Sequence, residues 1–328
     1  MDEAQRIDAF WQWWGRHSAA LGSLLDTGAE EAAVRTYGPL LAEQLDAVDS
    51  RLGYRIDDNA GRSRRTLTIS AHGQPWLMAL ARRVRDGAPA PDRHWTYSNF
   101  IKRSPEPLDV TFDIDGLALE LADTQIACRD MARRIDVGVW HPLFEPFTAE
   151  QRASLAAAMV DVALGEEHVQ CWVGGLEALD SPPENPVDLV ALRRFVDDVR
   201  TRFVELPDVS PWTTVQGTRY DGKELHARIR VPLCVAREPL LEKVVTIRLR
   251  LEDLRGPAAD EVEEMINESI GADGELVAVE TLNSLRTWYS YVRPDTEATQ
   301  RLLDLATALA LPVEAANDPT WEVVSHLS

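Results

Sequence analysis

"KVVTIRLRL", Lys243 to Leu251, alternates without a slip: Val245, Ile247, Leu249 and Leu251 fall on one side, Thr246, Arg248 and Arg250 on the other. A period of two predicts a half-buried strand, and the elements downstream of it decide the architecture. A helix is expected from Ala258 to Ile270. Strands are expected at "ELVAVETL" (275–282) and "RTWYSYV" (286–292), and a helix opened by Asp295 should run to about Leu309. Extended pieces are expected near "LPVEA" (311–315) and "WEVV" (321–324). The order β-α-β-β-α-β is the ferredoxin-like pattern. Just upstream, "WTTVQGTRY" and "KELHARIRV" flank Asp221-Gly222, a hairpin signal. The expected fold class is therefore α+β with two domains, the boundary falling in "LPDVSPW" near Pro207. Residues 207–328 form a ferredoxin-like C-terminal domain with an added N-terminal hairpin, and residues 1–206 a helix-rich α+β domain.

The N-terminal domain opens on Asp2 to Asp49, which reads as helix interrupted near Gly38-Pro39. Within "FWQWWGR" (10–16), Phe10, Trp11, Trp13 and Trp14 share one helical face with Ile7, His17, Leu21, Leu24 and Leu25, while Asp8, Gln12 and Arg16 fall outside it. A platform for stacking bases would set its aromatics among basic residues, and a helix lying on a membrane would carry Lys or Arg opposite them. The stretch is expected to be a core face.

Farther along, strands are expected at 51–56, 65–71, 95–101, 109–121 and 133–141, with helices from Pro75 to Arg85, Ala149 to Leu164 and Val187 to Phe203. Thr148 with Gln151 has capping-box spacing. "HVQCWVGGLEAL" (168–179) reads as strand, Gly174-Gly175 marking a bulge or close approach. The run from Arg65 to Leu179 is legible as a looser second copy of the C-terminal plan, although no residue-level repeat supports it.

The stretch "DGELVAVETLNSLRTWYSYV" (273–292), a helix, and then "NDPTWEVV" (317–324) with Asp318-Pro319 and Trp321 resemble the C-terminal half of a bacterial family of unknown function. That family is associated with the regulator of ribonuclease E activity B, an inhibitor with a ferredoxin-like fold. The early "FWQWW" resembles the aromatic helix that opens many relatives. The better match covers roughly the last 70 residues, and the ending "EVVSHLS" is less aromatic than the family pattern. The resemblance implies a regulatory protein and carries over no catalytic residue.

Composition narrows the function classes. The chain has 328 residues and a net charge of −20, which opposes broad nucleic-acid binding and suits docking of a basic protein. The acidic N-terminus has no signal-peptide pattern, and no apolar run is long enough for a membrane span, so a cytoplasmic location is expected. Three widely spaced cysteines, Cys128, Cys171 and Cys234, predict reduced thiols rather than a disulfide framework.

Nucleotide-binding and hydrolase motifs are absent from the sequence. "DIDG" at Asp113 to Gly116 reads as a strand turn, because it lacks the further ligands of a calcium loop. His168 and Cys171 could share a metal only on a helix, and His141 reads as structural. No cofactor and no metal site is expected. One constellation remains: Arg228, Arg230, Arg248 and Arg250 alternate on two strands of one sheet and are expected on one face, with Tyr289 and Tyr291 nearby. Left open, that face would bind RNA or a small anion; matched by carboxylates, it would be structural. The expected function is that of a non-enzymatic regulatory or protein-interaction protein, with an acidic inhibitor of a basic enzyme such as a nuclease as its specific form. The alternatives are a small-ligand or RNA binder using the arginine face, and an enzyme with an unrecognised site.

Overall fold

Helices and strands are mixed in an α+β arrangement in the computed structural model, which describes residues 1–58, 64–203, 212–218, 224–252 and 258–327. The chain divides into two compact units: residues 1–104 with 165–167, and residues 105–164 with 168–327. The expected boundary near Pro207 and the turn at Asp221-Gly222 lie outside the described residues. Among the described residues, no helix is long and apolar enough to cross a membrane.

The first unit begins with α1 (Glu3–Asp26) and α2 (Glu30–Asp49). The Asp2 carboxylate accepts from the Gln5 N–H at 2.8 Å and Gln5 returns the bond to the Asp2 N–H, closing a capping box. The break between the helices is at Gly28, whose φ of +74° reverses the chain, and not at Gly38-Pro39, which stays inside α2. A left-handed residue ends a helix more firmly than a proline whose neighbours pack. Strands β1 (Gly53–Asp58) and β2 (Arg65–Ser70) are antiparallel. Helix α3 (Pro75–Asp86) then crosses to β3 (Trp95–Ser98), which is parallel to β2.

Ile7, Phe10, Trp11, Trp13, Trp14 and Leu21 are buried, while Asp8, Gln12 and Arg16 are exposed. The opening stretch is a core face. Trp14 packs edge-on against Trp95 with ring centres 4.8 Å apart. The indole N–H groups find acceptors: Trp11 donates to the Val84 carbonyl, Trp14 to the Tyr97 hydroxyl and Trp95 to the Ser18 carbonyl. The large apolar area is therefore buried without an orphaned donor among these three.

In the second unit, β4 (Thr111–Ile114) and β5 (Leu117–Glu120) make a hairpin around "DIDG", with Gly116 at a φ of +83° and its N–H on the Asp113 carboxylate. Next come β6 (Gln125–Asp130), β7 (Ile135–Trp140), α4 (Ala149–Leu164), α5 (Glu166–Trp172), of which residues 168–172 belong to this unit, β8 (Val173–Ala178) and α6 (Leu189–Thr201). Strands β6, β7 and β8 form a three-stranded sheet; β6 has no clean alternation to announce it in the sequence. The Thr148–Gln151 capping box is present in both directions. The expected strand at 168–179 is corrected: it is helical to Trp172 and extended only from Val173. The close approach at Gly174-Gly175 is present, since the Asp136 carboxylate accepts from the Gly175 N–H at 2.8 Å where the β7–β8 register shifts. The expected second copy across 65–179 is also corrected, because its strands belong to three separate sheets.

The rest of the unit is β9 (Trp212–Thr218), β10 (Glu224–Arg230), β11 (Lys243–Arg250), α7 (Ala259–Ile270), β12 (Gly274–Leu282), β13 (Leu285–Val292), α8 (Ala298–Ala308) and β14 (Val313–Asn317). Its strands build a six-stranded antiparallel sheet ordered β14-β11-β13-β12-β10-β9. One face carries Val245, Ile247, Leu249, Leu276, Val279 and Trp288, packed under Val262 and Ile266 of α7 and Leu302 of α8. The segment "WEVV" is not extended: residues Glu322–Leu327 form a short 3-10 helix. It lies on the opposite face, where Trp321 stacks on Tyr291 at 4.5 Å.

Trp14→Ala should lower the stability of the first unit by about 3–5 kcal/mol, because it removes a fully buried indole and leaves a cavity beside Trp95. Urea unfolding of the full chain, followed by circular dichroism, reads this as an earlier first transition. A loss below about 1 kcal/mol would show that the tryptophan face is not a core.

Candidate functional site

The four arginines do not share a face. Strand pairing fixes this: Arg228 is opposite Val279, Val279 opposite Trp288 and Trp288 opposite Ile247. Residues directly opposite in an antiparallel pair point the same way, so Arg228 and Arg230 stand on the helix-covered side. Arg248 stands on the other side with Thr246, Glu280 and Tyr289, and alternation puts Arg250 there too. Each strand alternates as its sequence implies, but β10 and β11 are separated by two strands that set their relative phase.

On the helix side, α7 covers the middle of the sheet and leaves β10 and β9 beside it, opening a groove of about 480 Å³. His226, Arg228 and Arg286 line it together with Asp260, Glu263 and Glu264. Arg228 donates to Glu263 at 2.6 Å, and the Trp288 indole N–H donates to the other oxygen of the same carboxylate. Arg230 lies 3.3 Å from Glu275, which also binds Arg237. The guanidinium carbons of Arg228 and Arg230 sit 5.1 and 4.6 Å from the ring centre of Trp212. An indole face offers favourable electrostatics to both cations, and Glu263 and Glu275 offset the repulsion between them. Burial pushes the Arg230 guanidinium below its ordinary pKa, while the Glu275 charge works in the other direction.

On the opposite face, Arg248 pairs with Glu314 at 2.9 Å; hydrogen bonding to that carboxylate raises the arginine, and the arginine lowers Glu314 in turn. Arg250 is exposed at the strand end. Tyr289 and Tyr291 are buried and offer no ring for stacking. Tyr289 donates to Glu280 at 2.6 Å and Tyr291 donates to Asp318 at 2.5 Å. Burial, then the hydrogen bond to the Asp318 carboxylate, pushes the Tyr291 phenol well above its ordinary value. His326 lies 3.3 Å from Glu280, completing a Tyr289–Glu280–His326 cluster.

His141 is buried and fully occupied. Its Nδ1 accepts from the Leu143 N–H, so Nε2 carries the proton and donates to the Glu120 carbonyl. That is a structural histidine. His168 and Cys171 do lie on one helix, yet His168 Nε2 pairs with Arg200 and Cys171 meets Cys234. Among the described residues, no three His, Cys, Asp or Glu side chains gather to hold a metal.

Strand periodicity gives no sign of Trp212, Glu263 and Glu275 as partners of the arginines. Glu263 alone carries a signal, the acidic run of α7 with no basic residue to answer it.

Glu275→Gln should cost about 1–3 kcal/mol, because it leaves two poorly exposed guanidinium groups without their shared countercharge. Arg248→Ala should move the unfolding midpoint much less, since its partner Glu314 is largely exposed. Urea midpoints of the two variants, compared at equal m-values, check the order.

No family model, curated protein or solved structure matches this chain.

Proposed function

We propose that the chain is a cytoplasmic regulatory protein that acts by binding a basic protein partner. In this reading residues 243–317 are a ferredoxin-like domain, extended by the β9–β10 hairpin. The strand order β14-β11-β13-β12 with both helices on one face supports it. The resemblance of residues 273–324 to the family of the regulator of ribonuclease E activity B then points to an inhibitor of a nuclease.

The observation that carries this reading is the neutralisation of the arginines. Arg228 meets Glu263, Arg230 meets Glu275, and Arg248 meets Glu314. The two tyrosines that would have stacked on bases are buried. An RNA-binding surface needs clustered free cations and exposed rings; here three of the four arginines are paired with carboxylates, Arg250 is exposed by itself at a strand end, and neither tyrosine ring is open. What the chain presents instead is net negative charge, with Asp260, Glu261, Glu264 and Glu268 exposed along α7. A field of that sign speeds encounter with a basic partner and weakens as salt screens it.

The test uses the full chain with ribonuclease E cleaving a fluorogenic single-stranded RNA. Inhibition is expected at low salt, weaker at high salt, and weaker again for Glu261→Lys/Glu264→Lys/Glu268→Lys. The RNA alone should not be retained by the immobilised protein. Unchanged cleavage at every salt concentration would rule out the inhibitor reading. Salt-sensitive retention of RNA would replace it with the binder.

A further inference from the structure

Cys171 and Cys234 are 63 residues apart in sequence, yet their Sγ atoms lie 2.8 Å from one another. Cys171 is on the last turn of α5, and Cys234 opens the 3-10 turn Val235–Arg237 between β10 and β11. Both thiols are buried, at 4% and 6% exposure. A disulfide has its sulfurs about 2.05 Å apart, so closure needs the two sulfurs to approach by less than about 1 Å.

The surroundings favour reaction at this pair over the third cysteine. Arg134 donates to the Gln170 carbonyl at 2.7 Å and to the Cys171 carbonyl at 3.4 Å, holding a fixed positive charge beside the sulfurs. Cys234 sits below the ordinary thiol range: a hydrogen bond from Cys171, the backbone N–H groups of Ala236 and Arg237, and the Arg134 charge outweigh its burial. Cys128, on β6, is the most exposed of the three, and burial still pushes it up to about 11. Because the thiolate is the nucleophile, the better-exposed cysteine is the less reactive one.

We propose that Cys171 and Cys234 form a dithiol oxidation site that a small hydroperoxide converts to an intramolecular disulfide. The Cys234 thiolate attacks one peroxide oxygen, the O–O bond breaks, and the leaving hydroxide takes a proton to become water. The resulting Cys234 sulfenic acid is attacked at sulfur by Cys171. The S–O bond breaks and the hydroxyl leaves with the Cys171 proton as a second water. Two thiols are oxidised, one hydrogen peroxide is reduced, and a sulfur–sulfur bond forms. A small oxidant is required because neither sulfur is open to a large one. The bond ties α5 to the connection that carries Arg237 onto Glu275, so oxidation stiffens the approach to β11.

The experiment treats the full reduced chain with stoichiometric hydrogen peroxide, then follows intact mass, free-thiol labelling and a non-reducing peptide map. Expected are the loss of two hydrogens from the intact mass, a Cys171–Cys234 cross-linked peptide, and one remaining labelled thiol, Cys128. Oxidised protein should melt higher by roughly 5–10 °C, reversibly on adding dithiothreitol. Cys128→Ser should behave like the wild type, and Cys171→Ser should stop at a Cys234 sulfenic acid, read as one added oxygen in the intact mass. Three results would overturn the proposal: an unchanged mass under peroxide that oxidises free glutathione completely, Cys128 as the first thiol lost, or disulfides only between chains. If Cys171→Ser fails to fold, the wild-type mass and peptide map decide alone.

Discussion

The six-stranded sheet buries residues on both of its faces, and one carboxylate anchors the C-terminal segment to the second. Asp318 accepts from the Tyr291 hydroxyl and from the backbone N–H groups of Glu322 and Val323. It thereby ties the last turn of the described chain to the middle of the sheet. Trp321 adds an indole stacked on Tyr291 and an N–H donated to the Leu241 carbonyl. To reach that place Trp321 adopts a φ of +58°, a left-handed conformation that costs a bulky residue about 1–3 kcal/mol. Burying an indole against a tyrosine ring is worth at least as much. The clip covers both tyrosines, with Trp321 stacked on Tyr291 and the His326 ring centre 6.4 Å from that of Tyr289.

Strand phase then decides what the arginines can do. Placed on one face, four guanidinium groups would have made a basic island on an acidic protein. Split two and two, the sets find different carboxylates: Arg228 meets Glu263 from α7 and Arg230 reaches Glu275 from β12, while Arg248 meets Glu314 from β14. The energies differ with burial. Glu275 serves two guanidinium groups at low exposure, where an unmatched charge is costly, whereas the Arg248–Glu314 pair is wet and contributes little. The consequence is electrostatic: three of the four guanidinium groups are matched by carboxylates, while Asp260, Glu261, Glu264 and Glu268 stay exposed along α7.

Much of the fold and little of the site was legible in the sequence. The β11–α7–β12–β13–α8–β14 succession, the tryptophan face of α1 and the Thr148 cap could all be read, since each follows from periodicity or from contacts within one turn of chain. Errors came where a local pattern competed with packing. "HVQC" looks extended by composition but continues as helix, and Pro39 looks like a break but Gly28 makes the turn. Of the six candidate residues, Arg228 alone lines the groove, and the tyrosines act as buried donors.

By itself the sequence determined which side chains alternate within each strand, which helix faces are apolar, and that the chain carries strong net negative charge. Those properties depend on backbone geometry over a few residues and on counting. Only the tertiary structure decided that Arg228 and Arg248 oppose one another across the sheet, that residues 318–327 cover the tyrosines, and that Cys171 meets Cys234. Each of these is set by pairing between segments far apart in the chain, where a shift of one residue in register would turn every side chain to the other face.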